Sequence, residues 1–136
     1  MKKILVVDDE VLTRRVVSRL LDSQGYHVLL AKTGEAALSI LATGRPAAMI
    51  CDLVMPGMGG IEVVRTVRAT SALADLPILV LSGRGSTHDR DKALAAGANT
   101  YMAKPFSSVD LVEAVARLLG PAGAATGTVS ENDAGA

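Results

Sequence analysis

Short apolar runs that alternate with helical patterns restrict the fold of this chain more than any other feature. Five such runs, each four or five residues long, lie at 3–7, 27–31, 47–51, 77–81 and 100–103. Most of them show little alternation of apolar and polar residues, which is typical of strands buried on both faces of a parallel sheet. The sequence therefore predicts a sheet of five buried strands.

Apolar residues at helical spacing fill the intervals between these runs. The predicted helices lie at 11–24, up to Gly44, across 61–67, up to Gly97 and across 111–119. Ser107 or Ser108 is the expected N-cap of the last helix. Strands that alternate with helices over short connections predict an α/β fold, an open, doubly wound, five-stranded parallel sheet with five helices. Five strands are too few for an eight-stranded barrel.

Charge and cysteine content exclude several classes of protein. Lysine plus arginine number 14 and aspartate plus glutamate also number 14, so the formal net charge is zero. Nucleic-acid-binding modules normally carry a basic excess, and this balance argues against one. The single cysteine, Cys51, excludes an intramolecular disulfide and forms no recognisable zinc spacing with the two histidines. We expect Cys51 to be an inert core thiol.

The composition changes sharply near the C-terminus. Residues 1–119 contain all the basic residues and all the strand and helix patterns, and we expect them to form one domain. Residues 120–136 are rich in alanine and glycine, and we expect a flexible tail or the start of a linker in a longer protein. The sequence shows neither a signal-peptide pattern nor an apolar stretch long enough for a membrane helix. We therefore expect a cytoplasmic protein that does not bind membranes.

Polar residues stand where the predicted strands end. Asp8, Asp9 and Glu10 follow the first strand, Asp52 the third, Ser82, Gly83 and Arg84 the fourth, and Lys104 the fifth. In doubly wound sheets, ligands bind beyond the carboxyl ends of the strands, near the point where the strand order reverses. Neighbouring strands lie ~4.8 Å apart, so these side chains are expected to converge.

Clustered carboxylates repel one another unless a positive charge lies among them. A magnesium ion satisfies this condition, because it binds a few carboxylates together with waters and a phosphate oxygen. Lys104 supplies a second positive charge and Ser82 a hydroxyl donor. The expected guest is a phosphoryl group, which one carboxylate either holds or attacks. No G-x-x-x-x-G-K-[ST] loop is present to cradle a nucleotide.

Four motifs in order carry a family resemblance. They are Asp8-Asp9-Glu10, Asp52-Leu53-Val54-Met55-Pro56-Gly57, Leu81-Ser82, and the segment Gly97-Ala98-Asn99-Thr100-Tyr101-Met102-Ala103-Lys104-Pro105-Phe106. Together, at this spacing, they resemble the receiver domain of two-component response regulators, over about residues 2–119. The resemblance implies a flavodoxin-like sheet and a signalling domain that is not an enzyme, apart from catalysing its own phosphorylation and dephosphorylation.

The resemblance implies a role for each matching residue. Asp52 is the implied phosphoacceptor, and Lys104 holds a phosphoryl oxygen. Asp9, Asp52 and the backbone carbonyl of Val54 are the implied Mg²⁺ ligands, with Asp8 acting through a water. Ser82 and Tyr101 are the implied switch residues, and the Lys104–Pro105 peptide bond is implied to be cis.

These expectations define a stand-alone, chemotaxis-regulator-like receiver. Its phosphodonor is a sensor histidine kinase or a histidine phosphotransfer protein. Its output passes to a downstream effector protein through the face of helix 4, strand 5 and helix 5, roughly 86–119, in a monomer or weak dimer. Two other functions remain open: a phosphorelay intermediate that passes the group to another histidine, and a small flavodoxin-like enzyme or pseudo-receiver.

Several residues also have a simpler interpretation. Asp8 or Asp9 alone is an ordinary helix cap, and Lys104 alone an ordinary solvated lysine. Tyr101 is either a switch residue or a packing residue with its hydroxyl in water. The resemblance also implies that Val54 and Arg84 flank the phosphorylation site, at positions where members of the family tune hydrolysis of the phosphoryl group.

Overall fold

The computed structural model describes the backbone of residues 2–83 and 86–124, with side chains up to residue 120. Within this part the strands are β1 Lys3–Val7, β2 His27–Ala31, β3 Ala48–Asp52, β4 Ile78–Ser82 and β5 Thr100–Ala103. They form one sheet in the order β2-β1-β3-β4-β5, and every neighbouring pair is parallel. The predicted doubly wound sheet is confirmed.

Four helices connect the strands and a fifth follows β5, all at about the predicted places. They are α1 Val11–Ser23, α2 Gly34–Gly44, α3 Gly60–Ala69, α4 Thr87–Ala96 and α5 Ser108–Ala124, with a short 3₁₀ turn at Ser71–Leu73. Ser107 caps α5, since its hydroxyl oxygen accepts a hydrogen bond from the Asp110 N–H at 3.0 Å. At the start of α3, Gly59 offers no side-chain cap, and its N–H donates to the Glu62 carboxylate at 3.3 Å.

Two of the strands begin and end one residue later than the apolar runs predicted. Asp52 pairs with Leu81, and Ser82 pairs with Ala103, so both polar residues belong to the sheet rather than to the loops after it. The physical reason is that ladder hydrogen bonds depend on the backbone, whereas an apolar run depends on side chains.

The core consists of two layers because successive strand residues point to opposite faces of the sheet. Leu5, Val7, Met49 and Cys51 pack on the side of α2, α3 and α4. Ile4, Val6, Ala48 and Ile50 pack on the side of α1 and α5. Cys51 is fully buried, as expected, and burial raises the pKa of its thiol.

Arg68 forms hydrogen bonds that connect several segments at the edge of the sheet where the strands begin. Its Nε donates to the carbonyl of Gly97 at 2.9 Å and its Nη1 to the carbonyl of Leu76 at 2.6 Å. Its Nη2 donates to Asn99 Oδ1 at 2.9 Å. The ends of α3 and α4 and the start of β4 are therefore held by one side chain.

The predicted boundary between the domain and its C-terminal tail, after residue 119, stays a prediction. The path of α5 breaks at Gly120, where φ is 78° and ψ is 175°. Residues 125–136 of the predicted tail lie outside the described residues. Among the helices of the described part, none is both long and apolar enough to span a bilayer.

Candidate functional site

The register of β1 and β3 brings three aspartates together. These strands are neighbours at the point where the strand order reverses, and Val7 lies opposite Cys51. Asp8 therefore comes next to Asp52 at the carboxyl edge of the sheet. Asp8, Asp9 and Asp52 each offer a carboxylate oxygen, and these oxygens lie within 4.8 Å of one another.

The three aspartates differ in exposure and in their contacts. Asp8 is 1% exposed and Asp52 is 6% exposed, whereas Asp9 is exposed to solvent. The N-cap of α1 is Glu10, whose N–H donates to Asp8 Oδ1 at 2.9 Å. Asp8 is therefore not an ordinary helix cap. An N-cap side chain accepts from an N–H inside the helix, whereas Asp8 accepts from the N–H of the N-cap residue Glu10.

Lys104 reaches this cluster from β5. Its Nζ lies 3.0 Å from Asp8 Oδ2, 3.2 Å from Glu10 Oε1 and 3.4 Å from Asp52 Oδ1. The Lys104 N–H donates to the Ser82 carbonyl at 2.7 Å, and the Lys104–Pro105 peptide bond is cis. The interpretation of Lys104 as an ordinary solvated lysine is therefore wrong, because its ammonium is held among carboxylates.

The charges of the cluster are unbalanced. Burial, together with the nearby Asp8 carboxylate, raises the pKa of Asp52 to about 6, although Lys104 opposes the shift. Burial lowers the pKa of Lys104, but the hydrogen bonds to Asp8 and Glu10 and the charges of Asp52 and Asp8 together outweigh burial and raise it overall. The hydrogen bond from Lys104 lowers the pKa of Glu10. One ammonium thus offsets only part of the negative charge.

The donor set fits a hard divalent cation. The three carboxylate oxygens lie within 4.8 Å of one another, close enough for one Mg²⁺ ion to be held by all of them. Carboxylates are the protein ligands that this ion prefers. A divalent charge would also favour the ionised form of Asp52, whose pKa burial and the Asp8 carboxylate raise.

The other predicted site residues lie around this cluster. Ser82 is 1% exposed at the end of β4, next to β3. Val54 lies two residues beyond Asp52, with its side chain 53% exposed. Arg84 lies outside the described residues. Tyr101 packs against the core layer on the side of α2, α3 and α4, and its hydroxyl is buried without a hydrogen-bond partner among the described residues. The alternative that this hydroxyl lies in water is therefore wrong.

Two contacts of the site were not predicted from the sequence. Glu10 stood among the strand-end acids without a role, and it contacts Lys104. Gly60 packs on β3 so closely that a Cβ there would overlap the Asp52 carbonyl oxygen and lie 2.9 Å from Leu53 Cα. The only sequence signal for the second contact is a glycine at the first position of α3, shortly after Asp52.

Comparisons with known proteins agree with this architecture. The family model described as "Response regulator receiver domain" matches residues 4–116. The response regulator MprA of Mycolicibacterium vanbaalenii is 44% identical over 117 residues, which make up 86% of this chain and 50% of that protein. The chain thus spans about half the length of the curated relatives it matches.

Solved structures show the same likeness. The chemotaxis protein CheY4 of Vibrio cholerae superposes with a TM-score of 0.82 at 36% identity, covering 87% of this chain and 98% of that one. The receiver domain of the sensor histidine kinase PA1611 of Pseudomonas aeruginosa gives a TM-score of 0.82 at 32% identity, with coverages of 88% and 98%. That structure has a magnesium ion coordinated in its active site cleft.

Proposed function

Because this chain belongs to the receiver domain family of two-component response regulators, we propose that it accepts a phosphoryl group on Asp52 from a histidine kinase or histidine phosphotransfer protein. One observation carries the proposal. The buried Asp52 carboxylate lies 3.4 Å from an ammonium and within 4.8 Å of two further carboxylates, at the ligand-binding edge of the sheet.

Asp52 is the nucleophile of the proposed reaction. At pH 7 its carboxylate is largely ionised, because its pKa of about 6 lies below that pH. One of its oxygens attacks the phosphorus of a phosphohistidine, the P–N bond breaks, and the electron pair leaves with the donor imidazole, which takes up a proton from solvent. The product is an acyl phosphate on Asp52. Since phosphoryl transfer needs mainly positioning and charge neutralisation, Lys104 and Ser82 serve by holding phosphoryl oxygens.

Magnesium is the proposed cofactor. Asp9, Asp52 and the backbone carbonyl of Val54 would hold it, and Asp8 would contribute through a water. When bound, the ion supplies positive charge that offsets the carboxylates and the phosphoryl oxygens. The PA1611 receiver, with magnesium in its active site cleft, supports this assignment.

Output is proposed to depend on contacts made only in the phosphorylated form. Ser82 would bond a phosphoryl oxygen and draw the loop after β4 inward. Tyr101 lies on the adjacent strand and packs against the core layer on the side of α2, α3 and α4, so a movement of that loop would change its surroundings. The downstream effector would bind the face formed by α4, β5 and α5.

Incubation with acetyl phosphate tests the proposal directly. In the presence of Mg²⁺, intact-mass spectrometry is expected to show one added phosphoryl group, and chelation of the metal with EDTA should prevent its appearance. A wild-type protein whose mass stays unchanged at saturating Mg²⁺ would contradict the proposed function.

Asp9→Asn tests the metal assignment separately. Loss of one carboxylate ligand is expected to weaken Mg²⁺ binding by about tenfold or more, measured by isothermal titration calorimetry. Asp91→Asn makes the same chemical change at an exposed position of α4 and should bind Mg²⁺ as the wild type does. Equal affinities of the two variants would remove Asp9 from the ligand set.

A further inference from the structure

Glu10 contacts the amine of the site although it has no part in the phosphoryl transfer described above. We propose that Glu10 is a positioning residue, which holds the Lys104 ammonium in a resting arrangement and competes with the phosphoryl group for it. The inference rests on the proposed function, because it concerns how Lys104 becomes available to a phosphoryl oxygen.

The Lys104 ammonium is surrounded by carboxylates in the resting site. An ammonium has three N–H donors. Three carboxylates lie within reach of them, at 3.0 Å for Asp8, 3.2 Å for Glu10 and 3.4 Å for Asp52. A phosphoryl oxygen that bonds to Lys104 therefore joins a set of acceptors in which Asp8 and Glu10 already hold hydrogen bonds and Asp52 lies within ion-pair distance.

Glu10 is the partner that can leave at least cost. The Asp8 side chain is 1% exposed, so bulk solvent cannot take the place of the ammonium there, and Asp52 itself carries the phosphoryl group. The Glu10 side chain is 62% exposed, so solvent can replace the ammonium. Exposed ion pairs of this kind are weak and exchange readily.

Glu10 is nevertheless held in place by a second donor. The Thr13 hydroxyl donates at 3.1 Å to Glu10 Oε1, the same oxygen that accepts from Lys104 at 3.2 Å. Thr13 lies on the first turn of α1 and is half-buried. The carboxylate is thus oriented toward Lys104 rather than left free to rotate in solvent.

Two consequences of removing Glu10 act in the same direction. One N–H of Lys104 becomes available to the phosphoryl oxygens. In addition, the site, which receives a dianionic phosphoryl group, has one negative charge fewer. At saturating Mg²⁺, both should increase the affinity for a phosphoryl group or its analogue. Glu10→Asp separates the two effects, because it keeps the charge but is one methylene too short to preserve the contact.

The test is calorimetric titration of the protein with beryllofluoride, an analogue of the phosphoryl group, at saturating Mg²⁺. Glu10→Ala is expected to bind it about two- to fivefold more tightly than the wild type. Glu10→Asp should retain most of this gain, and Thr13→Val should change affinity in the same direction. Glu113→Ala, an exposed glutamate on α5, serves as the control and should not differ from the wild type.

The outcomes separate this inference from the proposed function. If the wild type binds beryllofluoride and Glu10→Ala binds it equally well, Glu10 does not compete and the inference is wrong. If Glu10→Ala gains affinity but Glu10→Asp behaves as the wild type, charge alone acts and the inference is again wrong. Failure of the wild type itself to bind beryllofluoride would overturn the proposed function, and the inference with it.

Discussion

Replacing Asp52 with asparagine is expected to abolish phosphoryl uptake and, at the same time, to stabilise the metal-free protein at pH 7. The first effect follows because an amide oxygen is a poor nucleophile, so acetyl phosphate should add no mass to the variant. The second follows because the Asp52 carboxylate is buried next to Asp8, which makes its ionisation unfavourable in the folded state. We expect a gain of about 1 to 2 kcal/mol, allowing for solvent at the mouth of the site.

The stability gain should depend on pH with a definite sign. The folded-state pKa of Asp52 is raised from 3.8 to about 6, so the folded protein holds this proton more tightly than the unfolded chain. Stability contributed by protonated Asp52 is therefore complete below pH 3.8 and is lost as the pH rises through about 6. The advantage of Asp52→Asn should accordingly be absent near pH 4 and complete near pH 7.

Urea denaturation in EDTA at several pH values measures both quantities. Asp91→Asn, at an exposed position of α4, controls for the general loss of an acid. The quantity compared is the difference in the free energy of unfolding between Asp52→Asn and the wild type. If this difference is absent at pH 7, or grows toward acid pH, ionisation of Asp52 is not unfavourable in the folded state. Equal phosphoryl uptake by wild type and variant would place the phosphoacceptor elsewhere.

Among substitutions that add a single methyl group in this region, Gly60→Ala is expected to destabilise the protein most. Its Cβ would overlap the Asp52 carbonyl oxygen and lie 2.9 Å from Leu53 Cα, and backbone atoms cannot rotate away as a side chain can. The first turn of α3 would have to move off β3, which also breaks the hydrogen bond from the Gly60 N–H to the Leu53 carbonyl at 2.9 Å. We expect a loss of about 2 to 3 kcal/mol in the free energy of unfolding.

The same substitution should slow phosphorylation, since it displaces the backbone that carries Asp52. Misplacement by about 1 Å can cost roughly a hundredfold in rate. The neighbouring variant Gly59→Ala is the matched control, because its Cβ would meet the Leu53 carbonyl oxygen at an ordinary 3.5 Å. Gly59→Ala should change stability by no more than about 1 kcal/mol. Comparable unfolding curves for the two variants would show that α3 does not depend on this close approach.

Much of the fold and of the site was predictable because it depends on local patterns. Apolar runs and helical spacing do not require knowledge of distant residues, and they placed five strands and five helices within a few residues of their observed bounds. Parallel strands then bring their carboxyl ends to one edge, so the meeting of Asp8, Asp52 and Lys104 followed from topology.

The remaining features depend on side-chain conformations and on how the helices pack over the sheet. Glu10 was expected at the same edge as Lys104, but their direct contact depends on how the two side chains are oriented. The close packing of Gly60 requires the path of α3 over β3. The buried Tyr101 hydroxyl depends on which core layer receives its ring, and an aromatic residue with a polar tip is compatible with either a wet or a dry position.

The Arg68 contacts restrict how α4 can move. The guanidinium donates to the Gly97 carbonyl directly after α4 and to Asn99 beyond it, so the C-terminal end of this helix is fastened to α3. A side chain on Gly97 would collide with Arg68, whose Cγ would lie 2.7 Å from the added Cβ. We therefore expect any displacement of α4 to be smallest at its C-terminal end, where these hydrogen bonds hold it, and larger toward Ser86.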